Sequence, residues 1–309
     1  MDGGRKPKIV VLAGATASGK TNLAIELVRR LGGEVINADS MQVYRGMDIG
    51  TAKPSLEERR GIPHHLMDVV DPDQPFNAAI FRSMALSVCR DMEARGKGCF
   101  VVGGTGLYIK ALLGGLFHCP PSDPQLRADL NRAWEEEGPA RLYQRLKEQD
   151  PEAARKIHPH DRVRVLRALE ILALTRDRPS ELSLRHAFKS RIFASLKLVL
   201  SVEREKLYRR INDRCDAMME AGLLHETEDL LSRGYSGDLK PMKAIGYRHM
   251  VRYLRGEWSL AEAVLRFKRD TRRYAKRQVT WFKSDPQYVW ITPDDADGAL
   301  DKIHRFLSS

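Results

Sequence analysis

Residues 14–21 read GATASGKT, directly after the apolar run KIVVLA at 8–13. The stretch fits G-x-x-x-x-G-K-[ST], a loop whose successive backbone N–H groups, just ahead of a helix N-terminus, form a nest for phosphate oxygens. Its members are Gly14, Ala15, Thr16, Ala17, Ser18, Gly19, Lys20 and Thr21. Lys20 adds a point charge, and the Thr21 hydroxyl is a candidate ligand for Mg²⁺. Ile9–Ala13 reads as part of a buried strand. Asn22–Leu31 (NLAIELVRRL) carries apolar residues at helical spacing until Gly32-Gly33 stops it. The loop usually announces a triphosphatase or a kinase, but by itself it does not name the phosphate compound it holds.

Outward from the loop, the same alternation continues. GEVINADS (33–40) is a second short strand ending at Ala38-Asp39, residues 76–95 read as a helix, and GCFVVGGTG (98–106) is another buried strand leading into a helix at Leu107–Leu113. Short apolar strands alternating with helices predict a parallel α/β sheet, whose ligands gather at the carboxyl ends of the strands. Gly14–Thr21, Asp39–Gln42 and Gly103–Gly106 all fall at such ends. The character changes at CPPSDP (119–124). From 123 to 195 the patterns are helical and rich in Arg and Glu, as in DRVRVLRALEILAL (161–174), and SLKLVLSV (195–202) resumes the sheet. The expected organisation is a core of residues 1–122 and 196–309 with a helical insertion at 123–195. Helices follow at 203–222 and 225–233, then a long amphipathic one at 260–283. One face of that helix is marked by Val264, Phe267, Thr271, Tyr274, Gln278 and Trp281.

Composition narrows the class. Hydrophobic residues at 42% and charged residues at 30% suit a soluble globular chain. The first apolar run is too short for a signal-peptide core, and no segment reaches the ~18 to 20 apolar residues of a membrane span, so a cytoplasmic protein is expected. Cys89, Cys99, Cys119 and Cys215 show neither zinc-ligand spacing nor a disulfide framework. The net charge is +11, and Leu239–Lys283 alone holds thirteen Lys or Arg against three acids, a balance of +10. Such a stretch is an electrostatic footprint for a polyanion, most simply nucleic acid; the plain alternative is a solvated basic face.

A phosphoryl-transfer enzyme of this loop class wants an acid after a second strand to hold the magnesium shell. The strand at CFVV ends instead in Gly103-Gly104, whereas VINAD ends in Asp39. Asp39 is therefore open to three roles: metal shell, general base, or a turn-forming residue.

ADSMQVYRGMDIGTAKP (38–54) resembles the tRNA dimethylallyltransferases, also called tRNA isopentenyltransferases. So do HHLMDVVDPDQPFNAAIFR (64–82), GGTGLYIKALL (103–113), KAIGYR (243–248) and KRQVTWFK (276–283), in the family's order and over nearly the whole chain. Ala15 departs from the proline usual after the first loop glycine, and no C-terminal zinc finger of the eukaryotic kind follows, so the likeness is to the bacterial type. The resemblance implies a P-loop NTPase-like core with a helical insertion and a helical C-terminal part. It also implies an activity: moving the five-carbon group of dimethylallyl diphosphate to the N6 amine of the adenosine 3′ of the anticodon, in tRNAs that read codons beginning with U. Asp39 then suits the general base, and the loop, Lys20 and Mg²⁺ on Thr21 suit the leaving diphosphate. Thr105 resembles a second hydroxyl on the phosphate side.

Arg210 and Arg214, four apart on one helix face, are assigned to the diphosphate, with their order of approach open. Ser40, Met41 and Gln42 resemble contacts to the target base. Further tRNA contacts are expected from Arg127 and from VRVLR, where Arg164 and Arg167 carry the charge and Val163, Val165 and Leu166 pack. The C-terminal blocks add Lys243, Ala244, Ile245, Gly246, Tyr247 and Arg248, and then Lys276, Arg277, Gln278, Val279, Thr280, Trp281, Phe282 and Lys283. Trp281 and Phe282 read as core more than as stacking platforms. His64 and His65 have no metal partners in the sequence and read as structural. The expected partners are tRNA and dimethylallyl diphosphate, with no membrane and a monomeric state. The rivals are a small-molecule or nucleotide kinase, a prenyltransferase for free AMP or ADP, and a non-catalytic RNA-binding module. The first two leave the basic C-terminal stretch without a task, and the third leaves the phosphate loop and Asp39 idle.

Overall fold

The computed structural model describes residues 6–116, 123–175, 177–186 and 192–309. Cys119 and most of CPPSDP lie outside them. The chain divides into two compact units, one of Met1–Leu113 with Ile192–Ser309, the other of Gly114–Arg191.

The larger unit is built on a six-stranded, wholly parallel sheet: β1 (Lys8–Gly14), β2 (Glu34–Asn37), β3 (His64–His65), β4 (Cys99–Gly103), β5 (Ala194–Leu200) and β6 (Tyr288–Ile291), in the order β3-β2-β4-β1-β5-β6. Central strands of such a sheet are covered on both faces and so read as unbroken apolar runs. Alternate residues of β1 serve opposite cores. Ile9, Val11 and Ala13 enter one, and Val10 and Leu12 the other. The second core is closed by α1 (Lys20–Leu31), through Leu23, Leu27 and Val28, and by α13 (Ala296–Ser308), through Ala299, Leu300 and Ile303. The first is covered by α2 (Ala78–Ala94), α3 (Gly106–Gly114), α9 (Arg204–Glu220), α10 (Leu223–Ser232), α11 (Tyr247–Leu254) and α12 (Leu260–Lys283).

Elements beyond the sequence expectation complete this unit: the edge strands β3 and β6 and the helices α11 and α13. The two histidines form the short β3. His64 Nδ1 donates to the Ile62 carbonyl at 2.9 Å, and His65 Nε2 lies 2.7 Å from Glu34 Oε2, a structural use that matches the sequence reading. Among the described cysteines, Cys89, Cys99 and Cys215 are free.

The smaller unit holds α4 (Pro124–Glu136), α5 (Pro139–Gln149), α6 (Pro151–Lys156), α7 (Arg162–Thr175) and α8 (Pro179–His186). Its core includes Leu130, Trp134, Leu142, Leu146, Val165 and Leu169. Buried Asp150 caps α6 and also accepts from the Ser180 backbone and hydroxyl at 2.9 and 2.6 Å, which ties α8 in. Among the described residues no helix is long and apolar enough to cross a membrane.

Candidate active site

A cavity of about 360 Å³ opens at the carboxyl ends of β1, β2 and β4, lined by Thr16, Lys20, Thr21, Asp39, Arg214 and Tyr274 among others. The glycine loop reaches its shape through a tight turn. Ser18 N donates to the Ala15 carbonyl at 3.2 Å, and Ala17 and Gly19 take left-handed backbone, at φ 60° and 92°. A crosspiece then locks the loop in place. The buried Gln278 side chain of α12 accepts from Thr16 N at 2.9 Å and donates to the Gly104 carbonyl at 3.0 Å. A Cβ on Gly104 would sit 2.3 Å from Gln278 Nε2, so only glycine admits this approach. Gln278, expected to contact tRNA, lines the cavity and also buttresses the phosphate loop.

Asp39 is the only carboxylate among the described residues that line the cavity. Its Oδ1 accepts from Met41 N at 2.8 Å, with Gln42 N at 3.4 Å. The turn-forming and cavity-facing roles therefore coexist in one side chain. Lys20 and Arg214 share the cavity with it. Burial lowers the Lys20 ammonium to about 8, Arg214 adds repulsion, and Asp39 pulls the other way. Burial likewise lowers Arg214, again opposed by Asp39. Lys20 and Arg214 outnumber the one carboxylate, and Lys243, Arg248 and Arg277 also line the cavity, so it holds a surplus of positive charge that an anion would neutralise. Arg210 does not line the cavity, so of the pair Arg214 is the one at the site. Burial raises the Tyr274 hydroxyl above the ordinary phenol range, and Asp39 reinforces the shift. Thr105 does not line the cavity. Its hydroxyl accepts from Ser40 N at 3.1 Å and sits beside Tyr274, fastening the Asp39 turn to the end of β4.

Among the described residues no group of three or more His, Cys, Asp or Glu side chains is arranged to hold a metal ion. The cavity offers the Thr21 hydroxyl and the Asp39 carboxylate. So few protein oxygens fit Mg²⁺, which keeps water and binds mainly through substrate phosphates.

Ser40, Met41 and Gln42 also line the cavity, as do Gly50, Thr51, Ala52, Lys243, Ala244, Ile245, Tyr247 and Arg248. Gly246 lies between, in the N-cap of α11. Tyr247 is fully buried, its hydroxyl given to Glu226, so its side chain is part of the frame. Arg248 pairs with Asp270.

A family model described as IPP transferase matches residues 42–285, most of the chain. The chain belongs to the IPP transferase family. A second model, described as isopentenyl transferase, matches residues 7–69, which include the glycine loop and Asp39. A tRNA dimethylallyltransferase of Geobacter sulfurreducens is 52% identical over 288 residues, 93% of each chain, and one of Geotalea uraniireducens is 50% identical over 94% of each. The crystal structure of the full-length tRNA isopentenylpyrophosphate transferase of Bacillus halodurans, 42% identical, superposes with a TM-score of 0.72 over 98% of this chain and 96% of that one. A eukaryotic dimethylallyltransferase captured acting on tRNA is 32% identical, with a TM-score of 0.84 over 98% of this chain and 80% of that one. The likeness carried by the sequence motifs holds.

In this IPP transferase the basic stretch is less free than its sum suggests. Arg266 pairs with Glu262, Lys268 with Asp216, and Arg248 and Arg269 with Asp270. Among the described residues Lys276 and Lys283 make no ion pair, and Arg277 lies over the Tyr274 ring at 5.8 Å. Lys276, Val279, Thr280 and Lys283 line a second cleft of about 560 Å³ together with Arg204 and Trp290, whereas Arg277 faces the first. The buried face of α12 is Ala263, Phe267, Ala275, Gln278 and Phe282. Phe282 is core as expected, but Trp281 is not: it is 37% exposed and its indole lies against Gly106.

In the smaller unit Val165 and Leu166 are buried, and their side chains have no access to a ligand. Val163, expected to pack, is 79% exposed. Arg167 and Arg127 both reach the buried Glu170 carboxylate, at 2.7 and 3.5 Å, and Arg164 pairs with Asp161 at 3.4 Å.

Proposed function

We propose that the chain is a tRNA-modifying prenyltransferase. It moves the dimethylallyl group of dimethylallyl diphosphate to the N6 amine of the adenosine just 3′ of the anticodon, in tRNAs that read codons beginning with U. The observation that carries this reading is the placing of one carboxylate, Asp39, in the same cavity as the glycine loop, Lys20 and Arg214. A leaving diphosphate and a nucleophile that must lose a proton need those two environments side by side.

The adenine N6 attacks C1 of the dimethylallyl group as the C1–O bond breaks. The electron pair of that bond leaves with the diphosphate, and the N6 proton passes to Asp39. Lys20, Arg214 and the loop amides take up the charge on the departing oxygens. Thr21 would hold Mg²⁺, whose charge would add to this neutralisation. Thr105 keeps Asp39 in place through Ser40 N. An adenine reaches such a cavity only when turned out of the anticodon stack, which single-stranded loops permit at low cost. Lys276 and Lys283, free of ion pairs among the described residues, are the cations best placed to meet RNA phosphates. The reading includes action as a monomer in the cytoplasm.

Incubation with labelled ATP and labelled dimethylallyl diphosphate, with and without tRNA, tests it. Label should pass from dimethylallyl diphosphate to tRNA alone. Phosphoryl transfer from ATP in the absence of tRNA would overturn the reading in favour of a kinase, and efficient labelling of AMP or ADP would move it to a free-nucleotide prenyltransferase.

A further inference from the structure

The cavity wall behind Gln42 is held by a residue that lies outside every motif of the site. Glu226, in the first turn of α10, points its carboxylate at the turn 48–50. Its Oε2 accepts from Asp48 N at 2.9 Å and Ile49 N at 2.8 Å, and its Oε1 accepts from Gly50 N at 3.0 Å and from the Tyr247 hydroxyl at 2.6 Å. Four donors on one carboxylate is close to its full capacity. Tyr247 packs against Gly50, where a Cβ would sit 2.5 Å from the ring. The turn therefore has no room to shift toward α10 or α11.

What the turn fixes is the orientation of an amide. The Thr51 and Ala52 carbonyls both accept from Gln42 Nε2, at 3.0 and 3.1 Å. With its nitrogen committed to two acceptors, Gln42 offers the cavity its oxygen. A carboxamide that can rotate offers donor and acceptor alike; a pinned one offers an acceptor only.

We propose that Glu226 is a positioning residue for acceptor recognition: by clamping the turn 48–52 it holds the Gln42 oxygen toward the cavity, where that oxygen accepts a hydrogen bond from the amine of the acceptor base. The inference rests on the reading of the cavity as the site where an aromatic amine is alkylated. It gives the wall a chemical preference for an amino edge, because a carbonyl in its place would leave two acceptors facing each other.

The test is a double-mutant cycle on tRNA prenylation. Glu226→Gln keeps the shape but turns one acceptor into a donor, which then faces donor groups whichever way the amide sits. Glu226→Gln and Gln42→Ala should each raise KM for tRNA by about tenfold, the scale of one or two lost hydrogen bonds. Donor affinity should stay unchanged and kcat should stay within about threefold, and the double variant should be no worse than either single one. A merely structural Glu226 would lower Tm and active fraction without moving KM. That result, or KM effects that multiply in the double variant, overturns the proposal. If Glu226→Gln does not fold, Tyr247→Phe, which removes one bond of the clamp, replaces it in the same cycle with the same criteria. A wild-type enzyme that leaves tRNA unlabelled would sink the functional reading and this proposal together; a working enzyme with an uncoupled pair sinks the proposal alone.

Discussion

Lys20 should make donor binding depend on pH in a way its neighbours dictate. In the free protein its ammonium is lowered to about 8, by burial first and by Arg214 second. A diphosphate in the loop removes both causes at once, since it replaces lost hydration and cancels the repulsion from Arg214. The bound complex therefore holds the proton to higher pH than the free protein does. Below pH 8 donor affinity should be flat. Above it each bound donor must also bring a proton, so the dissociation constant should rise roughly tenfold by pH 9 and roughly hundredfold by pH 10. The donor's diphosphate is already fully ionised in that window and adds no slope of its own.

Titration calorimetry with an unreactive thio-analogue of dimethylallyl diphosphate, repeated in buffers of different ionisation enthalpy, reads both quantities. Proton uptake should be near one-half at pH 8 and approach one at pH 9. Lys20→Arg keeps its charge throughout and should bind more weakly but without the slope. The stability of the free fold moves the opposite way. Between about 8 and 10.5 the unfolded chain holds the Lys20 proton and the folded one does not, so stability should rise with pH there. Donor affinity that stays flat to pH 9.5, or a slope that survives in Lys20→Arg, would refute this account of the loop.

Asp39→Ala should cut kcat by ~10²-fold or more with tRNA affinity nearly intact, as fits the loss of a general base. Asp39→Asn, which can still accept from Met41 N, should lose as much turnover but less thermal stability than the alanine variant, as single-turnover kinetics and a melting curve would reveal. Gln278→Ala frees the loop and should weaken donor binding by about five- to tenfold while the salt dependence of tRNA binding stays unchanged; the reverse pattern would make it an RNA contact. Reversing charge at Lys276 and Lys283 should lower the slope of log K against log salt by about two, measured by filter binding across a salt series. Gly106→Ala places a Cβ 2.0 Å from the Trp281 indole nitrogen and should cost about 1–3 kcal/mol of stability by chemical denaturation.

The strands nearest the site were legible because buried parallel strands write themselves as apolar runs, and KIVVLA, GEVIN and CFVV do so. β3 does not. It is two histidines held by pairing with β2 and by Glu34, and nothing in their side chains signals a strand. β6 is a four-residue edge with Val289 and Trp290 exposed, too short for a period to declare itself. α13 carries helical apolar spacing, yet what it buries against, the α1 side of the sheet, is a tertiary fact. On α12 the spacing placed Trp281 inward. The helix buries Phe282, as expected, but leaves Trp281 half-exposed, because Gln278 is spent on the loop and the inward face runs Gln278 to Phe282. Charge was legible only as a sum. Which cations remain free was set by Glu262, Asp216 and Asp270, and only the fold says which of these meet a partner.

A phosphate loop turned to carbon transfer needs a different partner at the end of the neighbouring strand, and here the two ends have exchanged roles. The strand beside β1 ends in Gly103-Gly104, where a phosphoryl-transfer enzyme would carry a carboxylate for its metal. The bare backbone there admits Gln278, a neutral group that braces the loop from behind without competing for the cation. The carboxylate stands one strand farther out, on Asp39, close enough to act electrostatically on Lys20 and Arg214 yet fixed by its own turn rather than by either of them. A proton leaving an amine in this cavity then meets one carboxylate, while a departing diphosphate meets two cations. That separation suits a reaction in which diphosphate is the leaving group and the amine loses a proton, as alkyl transfer from a prenyl diphosphate requires.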